Sequence, residues 1–362
     1  SAVAYQDLTA IAASKAVTAV DVFVYDTSKD TDGGAWRNRT QATSWYNEAL
    51  NTATRGSRKE FPAVAVIVAE TNKVTIYDGD DPSLPMWMVF NLAANNGFWL
   101  SSATATSCVA GSGKIVVGSI SVGFRQVDFI SEKFVRAFTS AQTSQTGGVV
   151  NRNSPLLAGA ADGPVIVNGT VNDVAMTVLP DAPIDYATGL QIPTIAVATG
   201  GGVSVIKDDG TVVDITYNSY GSSRVSFTAD SRLWVGFTVG SSNIWALYQI
   251  PTADTSTLSL ITHTTTAVSG SGDLPGSSAF FPLGLATYSG GVSLAGAGGL
   301  ASIDGFGNRK ATGSMVNFTA SSYTSGWMPG DIKGAFLADT DTTSMVGGEL
   351  VTNGDAFTGA TG

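Results

Sequence analysis

Residues 26–34, which read DTSKDTDGG, place several side-chain oxygens close together. Closely spaced carboxylate and hydroxyl oxygens followed by glycine suit a hard cation such as calcium. Asp26, Asp30 and Asp32 are therefore candidate calcium ligands, and the sequence suggests no other cofactor. The pattern departs from an EF-hand loop, because Lys29 interrupts it and no terminal Glu follows at the required spacing. A long solvated hairpin is the favoured interpretation of the segment.

Paired carboxylates could hydrolyse a glycosidic bond, which needs an acid and a base or nucleophile about 5 to 9.5 Å apart. The acids available for this are Asp78, Asp80, Asp81, Asp128 and Glu132. They occupy expected hairpin positions, where Asp is common because its side chain accepts hydrogen bonds from nearby backbone N–H groups. Turn formation is the favoured explanation. No catalytic residue is predicted.

Nucleophilic and histidine-based catalysis find little support. His263 is the only histidine, which excludes His-rich metal sites and paired-His catalysis. It lies in a Thr-rich expected strand without a nucleophile elbow. Cys108 is the only cysteine, so an intrachain disulfide is impossible. No basic cluster near Cys108 would lower the pKa of its thiol, and a small buried residue is the expected role.

Seven tryptophans could stack on sugar rings if several emerged on one face. Trp99 and Trp327 occur in loop-like contexts and are the candidate glycan contacts. Trp87, Trp234 and Trp245 occur in strand-like segments, so we expect them to fill the interfaces between sheets.

Composition limits the class of protein. Hydrophobic residues make up 43% of the 362 residues and charged residues 13%, with 42 glycines, which is typical of short strands joined by tight turns. The net charge of -10 argues against nucleic acid, since duplex binding depends on clustered Lys and Arg. No apolar run of roughly 18 residues predicts a membrane span. The first residues lack the features of a signal peptide, so we expect synthesis in a cytoplasm.

A pair of apolar strands separated by a short polar break recurs along the chain. A repeat of this size is typical of β-propeller blades. The copies are 63–70 with Lys73–Asp78, 114–120 with 123–130, Thr194–Thr199 with 202–208, 233–238 with 243–250, and 284–288 with 299–305. The long interval between the second and third copies contains two further strand-like segments, 163–167 and 172–178, which are either an extra degenerate blade or an insertion.

The last copy is divided between the chain ends. Residues 333–339 (KGAFLAD) supply one strand and residues 21–26 (DVFVYD) supply the other. We therefore predict an all-β fold, a β-propeller of six or seven blades over residues 1–346, whose ring is closed by strands from both termini. A sandwich would not explain a divided last copy, and a β-helix would repeat at a shorter and more regular period.

A few local elements complete the prediction. Helices are expected at residues 5–15, as a lead-in to the propeller, and at residues 43–53. The Asp-Gly pair in residues 207–211 predicts a tight hairpin. Residues 347–362 change in character and are expected to be a linker or the first strand of a following domain that is similar to jelly-roll carbohydrate-binding modules.

Two stretches, residues 20–48 and 61–90, resemble an N-terminal region of large virion proteins of marine bacteriophages. In those proteins, similar sequence precedes laminin-G-like or carbohydrate-binding jelly-roll domains. The resemblance implies a non-enzymatic structural protein of the virion, tail-associated or exposed on the particle, that acts in assembly or host-surface attachment. Its implied partners are other virion proteins, further copies of the chain, and a host-surface glycan or protein. The shared motifs are structural, so no functional residue is carried over.

Two other functions remain open at this point. One is a glycan-active enzyme that degrades bacterial surface polysaccharide, and the other is a secreted carbohydrate-binding propeller. An enzyme needs two carboxylates that converge in a pocket. A binding protein would expose aromatic residues on one face, and an assembly protein would expose an apolar or self-complementary patch.

Overall fold

The computed structural model of the chain has antiparallel β-sheet as nearly all of its regular secondary structure. It describes residues 9–15, 18–91, 104–120, 122–140, 142–146, 148–154, 160–239, 242–257, 261–265, 282–288, 291–296, 299–304, 312–320 and 332–339. The described helices are short: α1 (Thr9–Lys15) and the 3₁₀ turns η1 (Thr27–Lys29), η2 (Ala35–Arg39) and η3 (Val149–Asn151). The all-β class predicted from sequence is confirmed.

The described strands form five sheets of four or more strands, each an antiparallel meander. Sheet 1 contains β1 (Ala19–Asp26), β2 (Val64–Glu70), β3 (Lys73–Asp78) and β4 (Met86–Asn91). Sheet 2 contains β5 (Thr104–Gly111), β6 (Lys114–Ile120), β7 (Gly123–Asp128), β8 (Lys133–Ala137), β9 (Gln142–Thr146) and β10 (Ala160–Gly163).

Sheet 3 contains β11 (Val171–Thr177), β14 (Thr194–Thr199), β15 (Gly202–Ile206) and β16 (Val212–Ile215), and its first connection carries a small hairpin of β12 (Ile184–Asp185) and β13 (Leu190–Gln191). Sheet 4 contains β17 (Ser222–Phe227), β18 (Arg232–Val239), β19 (Ser242–Gln249) and β20 (Ile261–Thr265). Sheet 5 contains β21 (Pro282–Tyr288), β22 (Gly291–Gly296), β23 (Gly299–Asp304), β24 (Thr312–Ala320) and β25 (Ile332–Asp339).

The first strand of each sheet, called its leading strand here, contacts the leading strand of the next sheet. β1 contacts β5, β5 contacts β11, β11 contacts β17 and β17 contacts β21. Each leading strand also contains one extra residue at the same place in its pairing, namely Val20, Thr106, Asn172, Ser223 and Leu283. Such β-bulges bend a strand and turn its side chains. The five sheets therefore repeat one construction along the chain.

Aromatic side chains fill the space between sheets 1 and 2. Trp87 on β4 and Phe129 after β7 meet Trp45 and Phe61, which come from the long connection between β1 and β2. The ring centroid of Phe61 lies 4.9 Å from that of Trp87 and 5.0 Å from that of Phe129, and both pairs have edge-to-face geometry. As predicted, Trp87 and also Trp234 are buried. The connection between β1 and β2 is therefore part of the core.

A buried ion cluster joins the same connection to sheet 1. Arg152 donates two parallel hydrogen bonds to the Glu48 carboxylate, at 2.7 and 2.9 Å. Arg55 lies 3.5 Å from the same carboxylate, and its guanidinium stacks 4.5 Å from the centre of the Trp87 ring. Burial lowers the pKa of Arg55 to about 10, which leaves it charged at neutral pH. Because both arginines are buried, Glu48 supplies the charge that offsets them.

The predicted blade shared by the two chain ends is wrong. Residues 21–26 lie in β1, which pairs with β2 in sheet 1, while β25 pairs with β24 at the edge of sheet 5. β1 pairs along its whole length with β2, which consists mostly of buried small and β-branched residues. The pattern within a strand specifies which face is apolar, but many partners suit such a face.

The predicted extra blade also does not form. Of its two segments, residues 164–167 form only an isolated bridge between Val165 and Phe138, and residues 172–177 lie in β11, which pairs with β14 in sheet 3. The described strands thus form five sheets where the sequence predicts six or seven blades.

The local predictions have mixed outcomes. α1 lies within the predicted residues 5–15, and the 207–211 hairpin forms with Gly210 at φ 83°. The helix predicted at residues 43–53 is wrong, because side chains there bond the backbone instead, as in the Thr43 hydroxyl bond to the Thr40 carbonyl at 2.6 Å. Residues 347–362 lie outside the described part. No described helix is long and apolar enough to cross a membrane.

We expect Glu48→Gln to lower the free energy of unfolding by about 3 kcal/mol, because it leaves two buried guanidinium groups without their counterion. Urea denaturation at pH 7 measures the change. The control is Asp181→Asn, since Asp181 is exposed and makes no hydrogen bond or ion pair with the described residues. Equal, small effects of the two substitutions would contradict the role assigned to the cluster.

Candidate functional site

Side chains at the bulges connect each leading strand to the next. The Asp21 carboxylate on β1 accepts the Cys108 N–H of β5 at 2.7 Å. On β11, the Asp173 carboxylate accepts the Val225 N–H of β17 at 3.1 Å. Between them, the Ser107 hydroxyl accepts the Val174 N–H at 3.2 Å. In each case the acceptor is the residue directly after the bulge.

The side chains of the bulge residues also donate hydrogen bonds to the next leading strand. The Thr106 hydroxyl donates to the Val171 carbonyl at 2.9 Å, and the Asn172 amide donates to the Ser222 carbonyl at 2.8 Å. Each of these side chains thus reaches the residue before the bulge on the next leading strand. Together the two kinds of bond hold sheets 1 to 4 at a fixed stagger.

The carboxyl group of Asp173 has a raised pKa. Ser107 donates to one of its carboxylate oxygens at 2.8 Å and Val225 to the other. Burial between the sheets raises the pKa of Asp173 to about 6, although the charge of Arg224 opposes this increase. The carboxylate is therefore charged at neutral pH and takes up a proton under mildly acidic conditions.

A cavity of about 370 Å³ opens where β1, β5 and β11 end. Phe23 on β1 and Met176 on β11 are apolar residues of its lining. Asp26 at the end of β1 and Lys29 in the Asp-rich segment that follows are polar residues of the same lining. The volume lies in the lower part of the range for small-molecule sites.

Asp30 fixes the polar wall of this cavity to sheet 2. Its carboxylate accepts hydrogen bonds from the hydroxyl of Tyr25, from the Trp36 indole N–H at 2.7 Å and from the Ser112 N–H at 2.9 Å. The Tyr25 hydroxyl in turn accepts the Gly113 N–H at 2.9 Å. Burial raises the pKa of both Asp30 and Tyr25. Asp30 is thus committed to holding its own loop against the β5–β6 turn.

The three candidate calcium ligands do not converge. Asp26 caps η1, where one of its oxygens accepts the Ser28 N–H at 3.1 Å and the Ser28 hydroxyl at 2.7 Å. Asp32 accepts the Gly34 N–H at 3.0 Å and forms an ion pair with Arg39. Among the described residues, no group of three or more acidic, His or Cys side chains is placed to hold a metal ion.

Two charged groups at the cavity retain binding capacity. Within the described part of the chain, only Oδ1 of Asp26 accepts hydrogen bonds, which leaves Oδ2 as an acceptor. The Lys29 ammonium is exposed and makes no hydrogen bond or ion pair with the described residues. The sequence analysis treats Lys29 as an interruption of a calcium pattern. Only the position of the cavity reveals it as a potential ligand contact.

The β12–β13 hairpin extends from the same end of the leading strands, directly after the cavity wall. Tyr186 at its tip is fully exposed, and Ile184 is 59% exposed. Leu190 anchors the hairpin in the core, and Arg39 donates to the Thr188 carbonyl at 2.9 Å. The hairpin thus projects Tyr186 into the solvent, and the contacts of Leu190 and Arg39 hold the hairpin in place. Nothing in the sequence pattern marks Tyr186 as different from other turn tyrosines.

The remaining acids behave as turn and core residues. Arg58 joins Asp78 and Asp80, at 2.9 and 2.6 Å, and Asp80 also accepts two backbone N–H groups. Asp81 accepts the Ser83 N–H at 2.8 Å. The two acids of the second repeat are also engaged, Asp128 with Lys114 at 2.9 Å and Glu132 with the Ser44 N–H at 3.0 Å. The predicted local turn bonds form at Asp78, Asp81 and Asp128, which accept the N–H groups of Asp80, Ser83 and Ile130. Asp80 and Glu132 instead accept from backbone N–H groups far away in sequence.

The other sequence candidates are placed as follows. Cys108 is buried, as expected, and burial raises the pKa of its thiol well above the usual value. His263 lies in β20, where its backbone pairs with Trp245. Trp99 and Trp327 lie outside the described residues.

Comparisons with known proteins give low similarity only. No protein-family model and no curated protein matches the chain. The WD40 domain of Neurospora crassa Pan2 is 10% identical over 89% of this chain and 92% of that chain, with a TM-score of 0.38. YCF48 bound to D1 peptide is 14% identical over 67% of this chain and 77% of that chain, with a TM-score of 0.35.

A putative hybrid two-component system of B. thetaiotaomicron has an extracellular domain that is 12% identical over 70% of this chain, with a TM-score of 0.39. The chain spans 30% of the length of that structure.

We expect Asp173→Asn to flatten the pH dependence of stability between pH 4 and pH 7. The folded-state pKa of Asp173 is raised from 3.8 to about 6, so the folded protein binds the proton more tightly than the unfolded chain. The stabilisation that Asp173 gives the wild-type protein is thus greatest near pH 4. It decreases by on the order of 2 kcal/mol as the pH rises from 4 through the folded-state pKa of about 6. Asn can still accept one of the two hydrogen bonds.

Urea denaturation of wild type and variant at pH 4, 5, 6 and 7 measures the difference. The control is Asp209→Asn, because the Thr211 hydroxyl and N–H lower the pKa of Asp209 and its titration lies below this window. Parallel curves for wild type and Asp173→Asn would refute the assignment.

Proposed function

We propose that the five sheets are blades of a β-propeller and that sheet 5 covers the free face of β1. The neighbouring leading strands β5, β11 and β17 each have a leading strand on both sides, whereas β1 contacts only β5 in this series. Its outward side chains Val20, Val22 and Val24 are 46%, 39% and 40% exposed. An apolar stripe of this kind favours burial against another sheet.

Alignment of the bulges places Val22 level with Leu285 on β21. In a Cys108→Ala background, we expect cysteines at positions 22 and 285 to form a disulfide within one chain under mild oxidation. A control pair at positions 22 and 209 should not form one. Failure of the 22–285 pair, or exclusive formation of linked dimers, would contradict closure by sheet 5.

We further propose that the protein is a non-enzymatic recognition platform of a phage particle, acting in attachment to the host surface. The exposed hairpin carries this proposal, because Tyr186 is fully exposed on a hairpin that follows the cavity-lining end of β11. Tyrosine is enriched where proteins bind other molecules, since it offers a large rigid surface with one polar group. The phage setting rests on the sequence resemblance.

The chemistry of the described acids favours binding over hydrolysis. A glycosidase needs one carboxyl group able to donate a proton and a second that is free to act as base or nucleophile. At the cavity, Asp30 is already held by three donors. Of the cavity acids, Asp26 alone keeps a carboxylate oxygen without a protein partner. An acid pair is therefore missing among the described side chains of the cavity.

Immunogold labelling with antibodies against the chain tests the setting directly. We expect gold particles at the tail or surface of intact phage purified from lysates that contain the protein. Labelling confined to free protein in the lysate would contradict a virion role.

We expect Tyr186→Ser to reduce adsorption of the fluorescently labelled chain to host cells by about tenfold or more, since a central interface tyrosine commonly contributes over 1.4 kcal/mol. Flow cytometry measures the bound fraction. Ile120→Ser is the matched control, because Ile120 is 44% exposed and lies at the opposite end of the leading strands. Equal adsorption by both variants would contradict the hairpin's role.

A further inference from the structure

We propose that the cavity at the ends of β1, β5 and β11 binds a neutral pyranose sugar. The inference extends the proposed attachment function, because it names the class of ligand that the hairpin end of the protein recognises. It assigns the contact to Asp26, Lys29 and the apolar lining residues Phe23 and Met176, whereas the sequence alone suggested Trp99 and Trp327.

The charges in the cavity decide the class of ligand. Asp26 offers Oδ2 as an acceptor and Lys29 offers donors, and neither the Oδ2 atom nor the ammonium has a partner among the described residues. An anionic ligand would suit Lys29 but would meet Asp26 and Asp30. A cationic ligand would suit the carboxylates but would meet Lys29. A purely apolar ligand would desolvate both groups without replacing their hydrogen bonds, which is costly.

Hydroxyl groups satisfy both requirements. Each hydroxyl can donate one hydrogen bond and accept others. Adjacent hydroxyls on a ring can therefore donate to Asp26 and accept from Lys29 without carrying charge. The Thr31 hydroxyl, which also lines the cavity, adds a group able to do both. A neutral polyol is thus the ligand whose polar groups match this wall.

The apolar part of the lining explains why the polyol should be a ring sugar. Phe23 contributes an aromatic ring and Met176 a thioether to the cavity. A pyranose has an apolar face of C–H groups besides its hydroxyl edge, so it can cover these side chains while its hydroxyls face Asp26 and Lys29. The thioether of Met176 is polarizable and adapts to the shape of a ligand. A small acyclic polyol would leave this surface in contact with water.

The walls of the cavity are held in place before a ligand arrives. Asp30 fastens the polar segment to the β5–β6 turn through Ser112, and the capping bonds of Asp26 to Ser28 orient its carboxylate. The loss of freedom on binding is then confined mainly to the Lys29 side chain and the sugar. Pre-organised contacts of this kind raise affinity by lowering the entropic cost of binding.

Saturation-transfer NMR and titration of the full chain test the proposal with methyl glycosides of glucose, mannose and galactose. We expect at least one of these neutral glycosides to bind. Lys29→Met should weaken its binding by about tenfold, because it removes a charge-assisted hydrogen bond. Lys207→Met is the matched control, since Lys207 lies in the β15–β16 hairpin of another sheet, and it should bind as wild type does.

Charged probes distinguish a sugar site from an ion site. Methyl glucuronide should bind wild type more weakly than methyl glucoside, and Asp26→Asn should reduce this difference because it removes one negative charge. Preference of the wild type for the glucuronide, or for N-acetyl-methionine amide as a peptide analogue, would overturn the proposal. Absence of binding by all neutral glycosides, or unchanged binding by Lys29→Met, would also overturn it.

These outcomes are separate from those of the attachment proposal. If labelled chain still adsorbs to host cells and gold still marks the particle, but no glycoside enters the cavity, the sugar assignment fails alone. If glycosides bind with the expected charge dependence while phage particles carry no label, the attachment proposal fails and the sugar site remains.

Discussion

The hydrogen bonds between successive leading strands are the constraint on which the rest of the structure depends. A sheet of four strands can bury one face against its neighbour at several staggers, because apolar contact is not directional. The bonds from Asp21 to Cys108, from Ser107 to Val174 and from Asp173 to Val225 select one of them. Because each acceptor follows a bulge, the same backbone distortion places the side chain correctly in every sheet.

That stagger creates the cavity. With the leading strands held level, the ends of β1, β5 and β11 meet at one place, and the segment after β1 closes over them through Asp30. The same segment carries Arg39, whose contacts with Asp32 and with the Thr188 carbonyl connect the cavity wall to the β12–β13 hairpin. A stable stack of sheets thus gives this end of the molecule both a cavity and a projecting tyrosine.

Residues that looked chemically active in the sequence are mostly structural, for a common reason. Short acidic side chains in turns are close to unpaired backbone N–H groups, and burial makes an unsatisfied N–H costly. Asp80 therefore bonds Ala63 and Val64, and Asp30 bonds Ser112. Lys29 and Tyr186 differ from these acids. Their sequence contexts suggest ordinary turn residues, but both side chains are exposed and their polar ends have no partner among the described residues.

The sequence by itself determined the all-β class, the 207–211 hairpin and the burial of Trp87 and Trp234, because these follow from alternation, turn chemistry and the cost of exposing large apolar surface within a few residues. Tertiary structure alone decided that residues 21–26 pair with β2 rather than with the C-terminal strand. It also decided that Asp26 and Lys29 share a cavity with Met176, about 150 residues away in a chain whose pairing order no local pattern encodes. Strand partners and shared cavities depend on the summed free energy of distant contacts, which a single sequence does not display.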